Sequence, residues 1–151
     1  MAARLDVDVT YAARRPWAPR RAQFKRWAEA VLSERLHPSV LSVRVVGAAR
    51  SRSLNAHYRH KDKPTNVLSF GGAGQTPDGV DHLGELVICA PVVACEARAQ
   101  AKSPEAHWAH MTVHGVLHLL GFDHEKQAEA RKMAAREVQI LDRLGFSDPY
   151  A

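Results

Sequence analysis

His114, His118 and His124 fall in the stretch HGVLHLLGFDH, with Gly121 between the second and third histidines. On an α-helix the fourth residue along returns to nearly the same face, so His114 and His118 can direct two imidazole nitrogens at one point. One cation fits there. A straight helix would carry His124 roughly 15 Å along the axis from His114, at the usual rise per residue. The chain must therefore stop and turn. Gly121 allows this, because a glycine just past a helix end takes the left-handed conformation without a side-chain penalty. His124 can then return as a third ligand.

The same positions occur in the zinc-protease pattern H-E-x-x-H-x-x-G-x-x-H. One letter differs: Gly115 stands where those enzymes carry the glutamate that takes a proton from the metal-bound water. The ligands are present without the protease base. An imidazole-only set suits a single zinc ion best, with nickel, copper and iron compatible on ligand type. His110 and His107 lie on roughly the same face one and two turns earlier. Ordinary polar packing is the expectation for both, and a supporting role behind the ligands is the alternative. Asp123 could orient a histidine, but capping the final helix at Glu125 is the expectation for it.

A divalent ion held by three neutral histidines keeps its full charge and an open position, which favours an anionic substrate. The rest of the chain agrees. It has 21 Lys and Arg against 16 Asp and Glu, a formal charge of +5. Much of the excess is clustered, in Arg14, Arg15, Arg20, Arg21, Lys25 and Arg26 and again in Arg59, His60, Lys61 and Lys63. Such clusters attract a polyanion through phosphate contacts and counterion release. In the second group Arg59 is the candidate phosphate ligand, since guanidinium can engage two phosphate oxygens at once, and Lys61 and Lys63 extend the basic surface. A surface ion pair is the plainer alternative for Arg59.

At 151 residues and 46% hydrophobic, the chain suits one domain spanning residues 1–151. It has no apolar run long enough to cross a membrane, and the opening MAARLDVDVTY lacks the apolar stretch of a signal peptide. A cytoplasmic address is expected. Cys89 and Cys95 lack CxxC spacing, so a disulfide scaffold or a cysteine metal site is not expected, and both read as buried thiols.

The elements that must position the histidines follow from periodicity. Leu5, Val7, Val9 and Tyr11 alternate with polar residues as in a half-buried strand. Phe24, Trp27, Ala28, Val31, Leu32 and Leu36 repeat at helical spacing ahead of Pro38. A second strand is expected over 40–46, a short helix over 48–58, a third strand over 67–70 and a fourth over 84–89. GGAGQTPDGVD between the last two reads as a flexible connection. Helices follow over 92–102, from Pro104 through the histidine pair with Ser103 as cap, and over 125–144. The class is α+β, a mixed four-stranded sheet with about five helices packed against it.

Three blocks, LNAHYRHKDKPTNVLSF, LGELVICAPVVACEA and AHWAHMTVHGVLHLLGFDHE, span about half the chain. Together they resemble the YbeY family of bacterial endoribonucleases, including its signature H-G-x-L-H-L-x-G-[YF]-D-H. Family members typically continue the VLSF strand with proline, where this chain has Gly71 and Gly72.

The resemblance implies a zincin-like fold and a zinc-dependent, single-strand-specific endoribonuclease of the bacterial cytoplasm. Such an enzyme acts at the 3′ end of 16S rRNA and in ribosome quality control, with the small ribosomal subunit and its assembly factors as partners. DNA and membranes are not among the expected partners. By the same likeness His114, His118 and His124 match the metal ligands, with His114 also in the catalytic set, and Arg59 matches a functionally important arginine. Two other readings fit the residues: a metal-dependent hydrolase of another substrate, and a noncatalytic RNA- or ribosome-binding factor stabilised by zinc.

Overall fold

In a computed structural model, which describes residues 3–123 and 125–151, four strands form one mixed sheet in the order β1-β2-β4-β3. Strands β1 (Leu5–Tyr11), β2 (Ser39–Val46) and β4 (Asp81–Cys89) run parallel, and β3 (Val67–Gln75) pairs with β4 antiparallel. Alternation sets β1: Leu5 and Val7 are buried while Asp8 is exposed. Central β4 is a continuous apolar run instead, with Leu86, Val87, Ile88 and Cys89 all buried, because both of its faces are covered.

The larger core lies on the face covered by α1 (Arg21–Val31), α4 (Pro104–Leu119) and α5 (Gln127–Arg143). The opposite face carries a smaller cluster, Val46, Leu68, Val87 and Cys89, under Leu54 of α2 (Ala48–Arg59) and Val92 of α3 (Ala90–Ala99). Helix α4 runs through the middle and packs on β3, β4, α1, α3 and α5. Its run from His107 to Val113 is buried without a break, which explains a helix with no polar face over those turns. Ser103 caps it, its hydroxyl accepting the Ala106 N–H at 3.1 Å, with Pro104 in the first turn.

Several boundaries differ from expectation. Only residues 76–80 of GGAGQTPDGVD form a connection, since β3 runs on to Gln75 and β4 begins at Asp81. Glycine hides this, since it supplies no alternating side chains to read. At the crossing, a Cβ on Gly72 would lie 2.3 Å from the His82 carbonyl oxygen, and one on Gly84 would lie 2.1 Å from that of Phe70. The two backbones approach too closely for any side chain there, and the register shifts between Gly71 and Gly74.

Helix α1 ends at Val31, so Leu36 lies beyond it and is exposed. Helix α3 starts at Ala90, with Pro91 in its first turn, and α5 starts at Gln127. Cys89 is buried as expected, but Cys95 is exposed on the outer side of α3. The N-terminal basic group is partly structural: Arg21 donates to the Val7 carbonyl at 2.6 Å, and the Arg14 guanidinium lies 4.4 Å from the Tyr11 ring centroid. No helix among the described residues is long and apolar enough to cross a membrane.

Candidate active site

His114 and His118, one turn apart on α4, stand with ring centroids 4.7 Å apart and planes crossed at 79°. Both border an open cleft of about 680 Å³. After them the helix closes as the glycine predicts. Gly121 has φ 98°, its N–H donates to the His118 carbonyl at 3.0 Å, and the Phe122 N–H reaches the Leu117 carbonyl at 3.1 Å. This is a Schellman closure, and Phe122 packs back on the core that holds Leu117. His124 lies outside the described residues. Asp123 accepts the Glu125 N–H at 3.1 Å, which closes the turn ahead of α5 rather than capping it, since Lys126 is the N-cap.

The residue that orients His114 is Glu137, fully buried on α5. One carboxylate oxygen contacts His114 Nδ1; the other takes His110 Nε2 at 3.1 Å and the Tyr150 hydroxyl. Burial alone would raise its pKa. Hydrogen bonds from His110, His114 and Tyr150 outweigh that and hold it at about 2. An ionised carboxylate only accepts, so each contacting atom must carry a proton. Burial pushes His110 below the usual imidazole range, and burial with the nearby carboxylate pushes the Tyr150 phenol up. His110 is therefore neutral with its proton on Nε2. In neutral His114 the proton sits on Nδ1 and the lone pair on Nε2, the form a metal ligand needs. The donor chemistry of the pair fits a zinc-type cation.

Polar packing holds for His107, which is buried and bonds Glu96 on α3 at 2.8 Å. His110 is more than packing, because it shares Glu137 with His114. Glu137 itself had a sequence signal. It occupies a core position of α5, between Met133 and the pair Ile140 and Leu141, where a charge must have partners. Tyr150 carried no such signal.

Gly115 faces the sheet. A Cβ there would lie 2.8 Å from Leu86 Cδ2 and 3.3 Å from Val67 Cγ2, and the Gly115 carbonyl accepts the Ser69 hydroxyl at 3.1 Å. The glycine lets α4 lie down on β3 and β4. The position where a protease would place its glutamate is closed by packing.

The facing wall comes from the end of α2 and the start of β3. Arg59, in the last helical turn, lines the cleft with Tyr58, Phe70 and Ser69. Among the described residues no carboxylate pairs with it. The helix stops at His60, which takes the left-handed conformation with φ 58°, and its N–H donates to the Ala56 carbonyl at 3.2 Å. The following loop is latched back on α2. Buried Asn55 donates to the Lys63 carbonyl at 2.8 Å, while the Ser51 hydroxyl exchanges bonds with the Thr65 backbone at 2.9 Å. Lys61 and Lys63 are exposed on that loop and are not among the described residues lining the cleft. Arg52 holds Asp62 at 2.7 and 3.0 Å on the outside of the same loop. The structure therefore brings Arg59 to the histidine pair and leaves the two lysines at the rim.

A mixed α+β sheet with a histidine pair, one member tautomer-fixed by Glu137, and an arginine across one cleft defines a hydrolase-type site for an anionic substrate. The family described as Endoribonuclease YbeY matches residues 14–145. The chain belongs to that family. It is 51% identical to the endoribonuclease YbeY of Stenotrophomonas maltophilia strain K279a, over 98% of this chain and 94% of the relative. Identity and coverage are the same for the endoribonuclease YbeY of Xanthomonas campestris pv. campestris strain B100. The solution structure of TM1509 from Thermotoga maritima shares the fold at TM-score 0.63, with 21% identity over 91% of this chain and 88% of that one.

Proposed function

We propose that this chain is a zinc-dependent endoribonuclease specific for single strands, acting in the cytoplasm on the 3′ end of precursor 16S rRNA and in ribosome quality control. The small ribosomal subunit and its assembly factors are its partners in that work. Membership of the endoribonuclease family supports RNA as the substrate. The observation that carries the reading is the cleft itself, where the histidine pair, His114 fixed through Glu137, and an arginine without a carboxylate partner among the described residues share one space.

His114, His118 and His124 would hold one zinc ion. When bound, it supplies positive charge for the phosphate oxygens on which charge grows during cleavage. Arg59 binds and orients the scissile phosphodiester, with two donors for two oxygens. Glu137 keeps the His114 proton on Nδ1, so Nε2 is the basic nitrogen of the ring. Lys61 and Lys63 lead the RNA backbone to the rim by charge alone. Leu86 and Val67 fill the space beside Gly115, so no carboxylate acts from that position.

The test compares bound metal and cleavage of a single-stranded RNA by wild type, His114→Ala and Arg59→Ala at one salt concentration. His114→Ala should lose both metal and cleavage. Arg59→Ala should keep the metal and cleave about 100-fold more slowly, the usual scale for one transition-state donor. Unchanged cleavage in both variants would remove the proposed site. Bound zinc without wild-type cleavage would instead favour an RNA-binding factor. For the ribosomal role, cells lacking the protein should accumulate 16S rRNA with an untrimmed 3′ end, restored by the wild type and not by Arg59→Ala.

A further inference from the structure

We infer that Tyr58, backed by Phe70, forms a subsite that stacks one unpaired nucleobase of the RNA strand beside the phosphate held by Arg59. The inference rests on the single-stranded RNA reading above and names what in the cleft recognises it.

Tyr58 is a large apolar side chain left 57% exposed, and it lines the same cleft as Arg59 and the histidine pair. Its ring is not loose. It meets Phe70 edge to face with centroids 5.0 Å apart and 67° between planes, and meets His57 at 4.6 Å and 87°. Phe70 from β3 and the preceding His57 both contact it, which narrows the orientations left to lose when a flat ligand arrives. Exposed and braced by Phe70, an aromatic ring beside an arginine matches what single strands require: a π-face for a base and a guanidinium for the adjoining phosphate. A base in a duplex is already stacked and paired, and reaching this ring would require extruding it.

Charge sets the direction of approach. The cleft lining carries Arg59 on the α2 wall and the carboxylates Asp123 and Glu125 after α4. With Lys61 and Lys63 on the rim next to Arg59, a polyanion is drawn in along the side where Tyr58 stands. Stacking also reads no particular base, since every base has a π-face, which suits tolerance of sequence at this position.

The experiment uses single-turnover cleavage of a short single-stranded RNA with protein in excess, which separates the half-saturating protein concentration from the maximal rate. Tyr58→Ala should raise the half-saturating concentration about tenfold, the scale of one lost stack, and leave the maximal rate within about twofold. Tyr58→Phe and Tyr58→Trp should match wild type. Tyr58→Leu keeps apolar bulk against Phe70 without a stacking face, and should behave like Tyr58→Ala if the fold is intact by thermal melting. RNAs made abasic at one position at a time should then reveal one position whose loss harms wild type as much as Tyr58→Ala does. Combined with Tyr58→Ala, that abasic site should add nothing further. Normal half-saturation in Tyr58→Ala or Tyr58→Leu, or losses that simply add, would overturn the subsite while leaving the endoribonuclease reading intact. A wild type that cleaves no single-stranded RNA would overturn both.

Discussion

His114 and Arg59 border one cleft but reach it from different kinds of support. His114 stands on a helix buried through the molecule's centre, its ring fixed by a carboxylate that is itself fully buried and bonded by three side chains. Arg59 stands in the last turn of a surface helix whose only buried residues are Ser51 and Asn55, ahead of an exposed loop. In the function proposed above, a metal ligand must be held to within a fraction of an ångström and in one tautomer, whereas a guanidinium following a polymer backbone gains from some freedom. The histidine wall is built for geometry and the arginine wall for charge.

The strongest way to break this contrast is at Glu137. Glu137→Ala removes the charged acceptor for two imidazoles and a phenol, so roughly 3 kcal/mol of stability should go, the scale of lost hydrogen bonds to a buried charge. Urea denaturation reads the loss, and zinc content should fall with it. Stability within 1 kcal/mol of wild type would show that the network is incidental. On the other wall the counterpart is Asn55→Ala, which unlatches the loop from α2 by removing the bond to the Lys63 carbonyl. One buried hydrogen bond and its desolvated partner predict about 1–3 kcal/mol. Cleavage should fall through Arg59 while bound zinc stays at the wild-type level; a joint loss of both would mean that the two walls are not independently supported.

The same contrast explains what could be read in the chain. The i, i+4 histidines, the turn at Gly121 and the Ser103 cap are local, so a short stretch of sequence contains all their geometry. Glu137 lies 23 residues from His114, and its role exists only once α5 has packed against α4. Its place on the apolar stripe of α5 marks it as buried but does not say by what it is satisfied. The β3 extension was hidden because Gly71, Gly72 and Gly74 leave no period to follow. Gly115 could be seen as a missing base, but only the packing of Leu86 and Val67 shows why nothing larger stands there.

Glu96 joins the two walls and offers a test by pH. It accepts His107 from α4 at 2.8 Å and the Asn66 amide at 3.1 and 3.2 Å, and Asn66 opens β3 at the cleft. The hydrogen bond from His107, against some burial and with help from Asn66, lowers its pKa below the ordinary 4.5. A carboxyl depressed in the folded state contributes stability that is complete above about pH 4.5 and fades as pH falls through the folded value. Wild type should therefore exceed Glu96→Gln in urea midpoint at pH 7, and the gap should close on acidification below 4.5. A gap that stays constant would make the link one of shape rather than charge.

The smallest effect is expected at His60, where the arginine wall carries its own strain. A residue with a Cβ in the left-handed conformation costs roughly 1–2 kcal/mol, and glycine relieves this while adding freedom to the unfolded chain. His60→Gly should therefore leave the protein equally stable or stabilise it by up to about 1 kcal/mol, read by thermal melting. If Arg59 works chiefly by charge, RNA cleavage in this variant should stay within about twofold of wild type, because the helix still ends at the same residue and the loop stays latched through Asn55 and Ser51. A tenfold loss of cleavage with unchanged melting would reverse the contrast, since it would show that the exact exit angle of the chain after Arg59 matters as much as the tautomer of His114.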